Sequence, residues 1–304
     1  MPKQPAHFLF SNTFPGALTG VIALSFLFLV TSSFAGTLIR SGGSTTVLPV
    51  VSKAAARYNG LNPEVQVTVS GGGSGVGIQG AGSGLLDIGL ASREMTPEEV
   101  KKFKQQGLKV HVIGRDAVAC VVSSEIYKAG VTALTREQIR AIYEGRIRNW
   151  QDVGGPDSRI VVIDKERHRG TRHVFMNYIF GNPKARARGV RLVTGSNNEE
   201  QAKIAQSNAA IGMLSFAWMN EEVRGLDLIE GDRIIQPTQD NVENGTYPIV
   251  RNLNMLLSEK ANLESRKFLE FVLSESGQSI VADLHYIPAR KTEGSHLAGK
   301  VPGL

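Results

Sequence analysis

The sequence predicts an α/β protein in which strands and helices alternate along most of the chain. Residues 65–69 alternate apolar and polar side chains, as a half-buried strand does, and residues 160–163 form a short apolar run typical of a buried strand. A loop of small or polar residues and then a helical pattern follows each of them. This alternation indicates mainly parallel sheets with helices on both faces, and a length of 304 residues suggests two domains.

The first part of the chain contains four predicted strands and three predicted helices. Its clearest helix start is at Thr96. Thr96 can cap the helix, Pro97 suits the first helical position, and Glu99 completes a capping box. The predicted elements are a strand at 37–40, a helix at 47–58, a strand at 65–69, a helix at 76–84, a strand at 87–91, a helix at 97–106 and a strand at 109–113.

The second part repeats this pattern and ends in two helices. Residues 221–244 are rich in Asp, Glu, Gly and Asn and are expected to be irregular, with a domain boundary at their end. The tail 291–304 is expected to be loosely ordered. The predicted elements are a strand at 117–122, a helix capped by Thr135 and ending at 143, a strand at 160–163, a helix from 170 to 179, a strand at 191–193, a helix at 199–207, strands at 210–214 and 247–257, and helices at 263–274 and 278–284.

Residues 1–35 differ from the rest of the chain, with Lys3 as their only charged side chain. An apolar run at 17–30 is followed by Ser33 and Ala35, which fit the small-residue pattern of a cleavage site. The sequence therefore predicts a signal peptide cleaved after Ala35 and an exported protein. A retained membrane anchor is the alternative, since 16–34 is nearly long enough to span a bilayer. The segment has no cysteine, so a lipid anchor there is not expected.

Composition limits the class of partner. The formal net charge of +6 is compatible with an anionic ligand, but basic and acidic residues are mixed along the chain, which disfavours nucleic acid as a partner. The single cysteine, Cys120, excludes an intramolecular disulfide and lies in an apolar run, so we expect it to be a small buried side chain.

Three loops of small and polar residues precede predicted helices, at 41–46, 70–77 and 165–172. The glycines of 70–77 allow backbone N–H groups to approach a ligand closely, and a helix N-terminus adds unpaired donors and a positive dipole end. Such loops are typical of anion sites, although Ser and Thr also cap ordinary helices. If the three loops converge, they form one anion-binding site.

Other readings of these motifs are less well supported. Residues 75–80 match G-x-G-x-x-G, but a dinucleotide site needs an acidic residue about 20 positions on, and Asp87 comes too early. Val76 stands where a serine-hydrolase elbow around Ser74 needs glycine. His168 and His173 lack a third metal ligand, so no metal site is expected.

A basic cluster occupies the third loop and the residues after it. A charge run of this kind is usually a solvated surface, and we expect that for most of its members. Arg169 differs, because it lies beside a predicted helix start, where a guanidinium can hold an oxyanion through two hydrogen bonds. The cluster comprises Lys165, Arg167, Arg169, Arg172, Lys184, Arg186, Arg188 and Arg191.

Taken together and in order, several segments resemble the periplasmic phosphate-binding proteins of bacterial phosphate ABC transporters, in their shorter form. The resemblance covers about residues 37 to 290. The matching segments are 43–46 (GSTT), 72–77 (GGSGVG), 87–93 (DIGLASR), 142–150 (IYEGRIRNW), 153–155 (VGG), 170–172 (GTR), 210–212 (AIG), 247–251 (YPIVR) and 276–278 (SGQ).

The resemblance implies a two-lobed periplasmic binding protein of type II that holds phosphate between its lobes and delivers it to a membrane permease. It implies lobe I at 36–114 and 247–304, lobe II at 115–246, no cofactor, no enzymatic activity and a monomer. The phosphate-binding residues that it implies are Ser44, Thr45, Ser74, Gly75, Ser92, Gly170 and Thr171.

The third loop departs from the family pattern, which has arginine where this chain has Lys165 and serine where it has Arg169. Lysine is a point charge without the planar fork of arginine. Both substitutions keep an anion site, and we include Lys165 and Arg169 in it, but its selectivity is open.

A buried carboxylate in the site would favour hydrogen phosphate over sulfate by accepting its proton, because an unpaired buried charge is costly. Asp116, near the predicted crossover, is the candidate, followed by Glu94 and Glu166. The alternative is that Asp116 only pairs with Arg115 or a backbone amide.

Two other functions remain open. The protein could bind another oxyanion or a phosphorylated metabolite. It could also be an exported phosphoester hydrolase with Ser74 or Ser44 as nucleophile, but that function needs a base or a metal cluster, for which the sequence gives no signal.

Overall fold

The computed structural model describes residues 36–289. The predicted signal peptide and the tail 291–304 lie outside this part. Ten α-helices occur within it: α1 (Leu48–Leu61), α2 (Ser74–Ser83), α3 (Pro97–Lys102), α4 (Ser124–Lys128), α5 (Arg136–Glu144), α6 (Gly170–Phe180), α7 (Asn197–Ala205), α8 (Gln239–Glu243), α9 (Leu263–Leu273) and α10 (Glu275–Asp283).

The same part of the chain contains thirteen strands. They are β1 (Thr37–Gly43), β2 (Val65–Ser70), β3 (Ile88–Ala91), β4 (Leu108–Ser123), β5 (Ala133–Thr135), β6 (Val161–Lys165), β7 (Val190–Thr194), β8 (Ala210–Ser215), β9 (Val223–Gly225), β10 (Asp227–Glu230), β11 (Arg233–Ile235), β12 (Val250–Ser258) and β13 (Ile287–Pro288).

A mixed sheet connects most of these strands, in the order β2-β1-β3-β12-β4-β8-β6-β7. The pairs β2–β1, β1–β3, β8–β6 and β6–β7 are parallel, as the βα alternation predicts. Between these two parallel groups, β12 and β4 are antiparallel to each other and to their outer neighbours. The α/β class is confirmed, and the antiparallel pairs arise where two long strands cross the middle of the sheet.

Two large hydrophobic cores lie at opposite ends of this sheet. One is built from residues between 39 and 113 together with 253–286, and includes Ile39, Val51 and Phe268. The other is built mainly from residues between 117 and 249, and includes Tyr143 and Trp150. β4 changes core near its middle, between Ile113 and Ala117, and β12 changes core near its start, after Val250. β4 and β12 are therefore the backbone connections between the cores.

Local signals predicted the helix starts well. Thr96 and Thr135 both form complete capping boxes, with Glu99 and Gln138 respectively. Cys120 is buried in a core, as expected, and burial raises the pKa of its thiol. None of the described helices is both long and apolar enough to span a membrane.

Two predictions about the elements were wrong. The strands predicted at 109–113 and 117–122 are one 16-residue strand, β4, because β12 pairs with its first half and β8 with its second. Residues 221–244 are not irregular, since they form β9, β10, β11 and α8. Their order comes from distant pairing, as between Leu228 and Leu134, which local composition does not reveal.

Candidate anion-binding site

The three predicted loops meet at a small cavity between the ends of the parallel strands. The first loop follows β1, the second precedes α2, and the third connects β6 to α6. The residues that line the cavity are Ser44, Thr45, Thr46, Gly73, Ser74, Ser92, Lys165, Arg169, Gly170, Thr171, Gly195 and Asn197.

Glycine is required where two of these loops approach each other. Gly73, the residue before α2, has φ of 98°, a left-handed conformation that disfavours side chains. Gly170 begins α6, and a Cβ there would lie 2.3 Å from Ser74 Oγ and 2.6 Å from Ser92 Oγ. The N-termini of α2 and α6 therefore both reach the cavity, and each presents backbone donors and a positive dipole end.

Buried serine hydroxyls form a connected network on one side of the cavity. Ser44 Oγ donates to Ser92 Oγ at 2.9 Å, and the Ser92 backbone N–H donates to Ser74 Oγ at 3.0 Å. The two oxygens of Ser74 and Ser92 are 3.3 Å apart. All three side chains are almost fully buried, so their hydrogens point into the network or into the cavity.

Arg251, on β12, is the charged centre behind these hydroxyls. Its Nη1 donates to Thr171 Oγ1 at 2.9 Å and to Ser92 Oγ at 3.3 Å, and its Nη2 donates to Thr46 Oγ1 at 3.1 Å. Only 5% of the residue is exposed. One guanidinium thus joins hydroxyls from three separate loops.

Asp116 pairs with this arginine and does not line the cavity. Its Oδ2 accepts from Nε of Arg251 at 2.9 Å and from Nη2 at 2.6 Å, while its Oδ1 accepts from Ser215 Oγ at 3.0 Å. Burial raises the pKa of the Asp116 carboxyl, and the positive charge of Arg251 opposes that rise. Asp116 does pair, but with Arg251 and not with Arg115.

The other two candidate carboxylates are not among the residues that line the cavity, although Glu166 contacts Arg169, which is one of them. Glu94 accepts a hydrogen bond from Asn252 on an exposed surface. Glu166 is held by Arg169, whose Nε and Nη2 donate to it at 2.8 and 2.6 Å. None of the described residues that line the cavity carries a carboxylate.

Lys165 lies at the cavity with its charge already paired. Its Nζ forms a buried salt bridge with Glu200 and donates to the Ser196 carbonyl at 3.2 Å. Glu200 also accepts from the Met213 N–H at 2.7 Å and from Thr194 Oγ1 at 3.2 Å. Burial lowers the pKa of the Lys165 ammonium, and the Glu200 carboxylate opposes that change. Of three ammonium hydrogens, one remains for a ligand.

The basic cluster of the third loop is not a uniform solvated surface. Arg172 is 3% exposed, its Nε lies 3.0 Å from both oxygens of Asp164, and its Nη2 donates to the Ala185 carbonyl. Lys165 and Arg172 are therefore buried, because each has a carboxylate partner. Arg172 therefore departs from the solvated surface expected for most of the cluster, whereas Lys165 was expected in the anion site.

The structure brings eight of the ten predicted residues to the cavity. They are Ser44, Thr45, Ser74, Ser92, Lys165, Arg169, Gly170 and Thr171. Asp116 lies behind Arg251, and Gly75 points its N–H at the His168 carbonyl, 3.0 Å away. This hydrogen bond joins the second and third loops instead of facing the cavity.

Sequence reasoning missed three polar residues. Thr46 and Asn197 line the cavity, and Asn197 Nδ2 donates to Thr46 Oγ1 at 3.0 Å. The third is Arg251, which the sequence could have revealed, since it is a charged residue within a largely apolar predicted strand and within a segment that resembles the family. A buried charge inside a strand pattern indicates a partner, and often a site.

Comparisons with known proteins agree with this arrangement. A family model described as the PBP superfamily domain matches residues 30–276. The chain is 31% identical to the phosphate-binding protein PstS of Borreliella burgdorferi over 257 residues, which cover 82% of this chain and 89% of that protein. It is 30% identical to PstS of Bacillus subtilis over 247 residues, which cover 81% and 79%.

Solved structures show the same similarity. A Clostridium perfringens structure, described as a phosphate ABC transporter substrate-binding protein with bound phosphate, matches with a TM-score of 0.76 and 31% identity. The match covers 84% of this chain and 100% of that one. An ABC-type phosphate transport receptor from Vibrio cholerae matches with a TM-score of 0.67 and 31% identity, covering 83% and 100%.

Proposed function

Because this chain belongs to the PBP superfamily, we propose that it is an exported binding protein that captures inorganic phosphate in the cavity and delivers it to an ABC permease. The observation that carries this proposal is the convergence of three loops and two helix N-termini on one enclosed cavity lined by hydroxyl, ammonium and guanidinium groups. Such a set of donors suits a small tetrahedral anion. Relatives that are about 30% identical bear the name phosphate-binding protein.

We propose that the ligand is held by the predicted residues of the cavity lining and by Thr46 and Asn197. The N-terminal N–H groups of α2 and α6 and the hydroxyls of Thr46, Ser74 and Thr171 supply the donors, since the hydroxyl of Ser44 already donates to Ser92. Lys165 and Arg169 supply cationic N–H donors, each of which is also paired with a carboxylate. Gly75 and Asp116 then act indirectly, by joining two loops and by holding Arg251.

The proposed division into lobes follows the two hydrophobic cores. We assign 36–114 and 247–304 to lobe I and 115–246 to lobe II, the division that the resemblance implies. Tyr247 and Ile249, at the start of the returning segment, pack in the second core. Ligand is captured by hinge motion at the two crossing strands. Export through a cleaved signal peptide, a periplasmic location and a monomeric state belong to the same proposal.

The hydrolase alternative has no support from the site. A serine nucleophile needs a base within hydrogen-bond reach. In residues 36–289, the hydroxyls of Ser44 and Ser74 form hydrogen bonds with other hydroxyls and backbone amides, and with no histidine or carboxylate. We therefore propose a binding protein without enzymatic activity, and expect no turnover of a phosphate monoester.

The variant Gly170→Ala tests the proposed function. Its new methyl group would collide with the hydroxyls of Ser74 and Ser92, so we expect phosphate to bind at least about tenfold more weakly, which corresponds to about 1.4 kcal/mol. Calorimetric titration of phosphate into ligand-free protein measures this. Gly60→Ala, in open space on α1, is the matched control and should bind like the unaltered protein. Equal affinity in all three proteins would place the ligand elsewhere.

A further inference from the structure

The hydrogen-bond roles of the cavity hydroxyls are set by Arg251. A guanidinium has five N–H hydrogens and no acceptor. In this structure Nε and Nη2 donate to Asp116, Nη2 donates also to Thr46, and Nη1 donates to Ser92 and Thr171. All five hydrogens are used, and the three hydroxyl oxygens must act as acceptors toward Arg251.

Thr46 shows the consequence most clearly. Its Oγ1 accepts from Arg251 at 3.1 Å and from Asn197 Nδ2 at 3.0 Å. Both lone pairs of this oxygen are therefore occupied, and the hydroxyl can only donate. Among the described residues it donates to no partner, and Thr46 lines the cavity. Its hydrogen is left for a ligand.

Ser92 is constrained in the same way. Its Oγ accepts from Ser44 at 2.9 Å and from Arg251 at 3.3 Å, so its hydrogen must go to Ser74 or into the cavity. Ser74 Oγ already accepts from the Ser92 N–H. Ser44, Ser92 and Ser74 thus form a row of hydrogen-bonded hydroxyls whose oxygens mostly accept from within the row or from Arg251. The last hydroxyl of the row has a hydrogen that is free to face the ligand.

We infer that Arg251 is a positioning residue that turns the hydroxyls of Thr46 and Ser92 into donors, so that the site selects a tetrahedral oxyanion by charge and shape and accepts sulfate as well as phosphate. This inference rests on the proposed function. Hydrogen phosphate carries a proton that needs an acceptor, whereas sulfate does not. Since none of Asp116, Glu94 and Glu166 lines the cavity, no carboxylate there accepts that proton or repels sulfate.

The first test titrates the full protein, freed of bound anion, with phosphate and separately with sulfate at about pH 6 and about pH 8. At about pH 8 we expect the dissociation constant of sulfate to lie within about 30-fold of that of phosphate. At about pH 6 we expect the dissociation constant of sulfate to be unchanged and phosphate to bind more weakly than at about pH 8. Sulfate binding weaker by more than about 30-fold would overturn the inference, because that difference is the size expected from one carboxylate facing the anion. If the folded protein binds neither anion, the proposed function fails and this inference fails with it.

The second test separates positioning from a structural role. The double variant Arg251→Met/Asp116→Leu removes both buried charges together, which proteins often tolerate. Freed from Arg251, the hydroxyls can rotate and accept the phosphate proton, so we expect sulfate affinity to fall about tenfold more than phosphate affinity. Equal loss for both anions would contradict the positioning role.

A matched control removes another buried pair. Arg93 and Glu99 form a salt bridge at 2.7 Å and neither lines the cavity. In Arg93→Met/Glu99→Gln, the glutamine keeps the capping box of α3. We expect this variant to bind both anions like the unaltered protein, so a changed phosphate-to-sulfate ratio in it would count against the assignment to Arg251.

Discussion

Lys165 shows how a single residue can line an anion site and still be part of the folded core. Its ammonium group and the Glu200 carboxylate are both fully buried and in contact. Lys165 is the last residue of β6, and the sequence alone was equally compatible with a solvated lysine at this position. What determined its position is a partner 35 residues away in sequence, which no local pattern identifies.

We predict that Lys165→Met destabilises the protein by about 3–5 kcal/mol, because Glu200 then becomes an unpaired buried charge. The double variant Lys165→Met/Glu200→Leu should recover most of that loss. Urea denaturation of the ligand-free proteins measures the free energy of unfolding. A single variant as stable as the unaltered protein would mean that the pair is not formed.

His173, on α6, links stability to pH. Burial, with the nearby charge of Arg93, lowers the pKa of its imidazole from 6.5 to about 4. As pH falls below about 6.5, this residue takes up a proton in the unfolded chain but not in the folded one, so the unfolded state is favoured. The contribution of neutral His173 to the free energy of unfolding is therefore complete above about pH 6.5 and is lost as pH falls toward about 4.

We therefore predict that the free energy of unfolding decreases between about pH 6.5 and about pH 4, and that His173→Gln makes this decrease smaller. Urea denaturation across that range, with each protein ligand-free, gives the two slopes. Identical slopes in both proteins would rule out His173 as a contributor.

Helix α2 depends on glycine for its packing against the sheet. A Cβ at Gly77 would lie 2.3 Å from the Leu90 carbonyl oxygen and 2.9 Å from that of Gly42, and both of these are backbone atoms that cannot rotate away. The helix that presents the second loop therefore lies directly on β1 and β3. The sequence indicated that the glycines of 70–77 let backbone N–H groups approach a ligand, whereas Gly77 is needed for close packing.

We predict that Gly77→Ala destabilises the protein by about 1–3 kcal/mol through overpacking, and that phosphate binding weakens because α2 shifts. Gly60→Ala, in an open position of α1, should instead stabilise by about 0.5–1 kcal/mol. Thermal and urea denaturation compare the pair. Equal effects of the two substitutions would contradict the close contact described here.

The elements also show which parts of the fold the sequence could predict. Helix starts were predictable, because a capping box such as Thr96 with Glu99 is a local arrangement of side chains. The continuity of β4 was not, because residues 114–116 are held in the strand by β12, far along the chain. The same holds for 221–244, whose strands β10 and β11 exist only through pairing with β5 and with each other.

For the site, the three small-polar loops predicted a single anion-binding site, because parallel strands bring such loops together. Most of its individual residues were implied by the family resemblance, including Ser92, which lies outside the three loops. The role of Asp116 was not predictable, because whether a buried carboxylate faces a ligand or an arginine depends on the crossing of β4 and β12. Arg251 and Asp116 are opposite each other in the register of those strands. Only the pairing of the strands reveals the contact.

At the scale of the whole molecule, two strands that cross the middle of the sheet join the two cores. Polar groups from both ends of the sheet meet at the cavity. Gly75 and His168 join the second and third loops by a backbone hydrogen bond, and Lys184 and Glu98 form an exposed salt bridge at 2.9 Å across the same edge. The exposed pair is weak, but buried hydrogen bonds also cross the cavity, from Asn197 to Thr46 and from Arg251 to Thr171. A ligand bound among these groups should add to the free energy that holds the two ends together.

We predict that phosphate at about 100 times its dissociation constant raises the free energy of unfolding by about 2.7 kcal/mol, because it binds the folded state alone. Chloride at the same ionic strength is the control. A phosphate effect no larger than the chloride effect would indicate general salt screening instead of a site.

The most direct measurement is equilibrium dialysis of radiolabelled phosphate against the purified protein, after bound anion has been removed in denaturant and the protein refolded. We expect saturable binding of one phosphate for each chain, and binding at least about tenfold weaker in Gly170→Ala. Absence of saturable binding to a protein whose circular dichroism shows a folded α/β structure would rule out the proposed phosphate site.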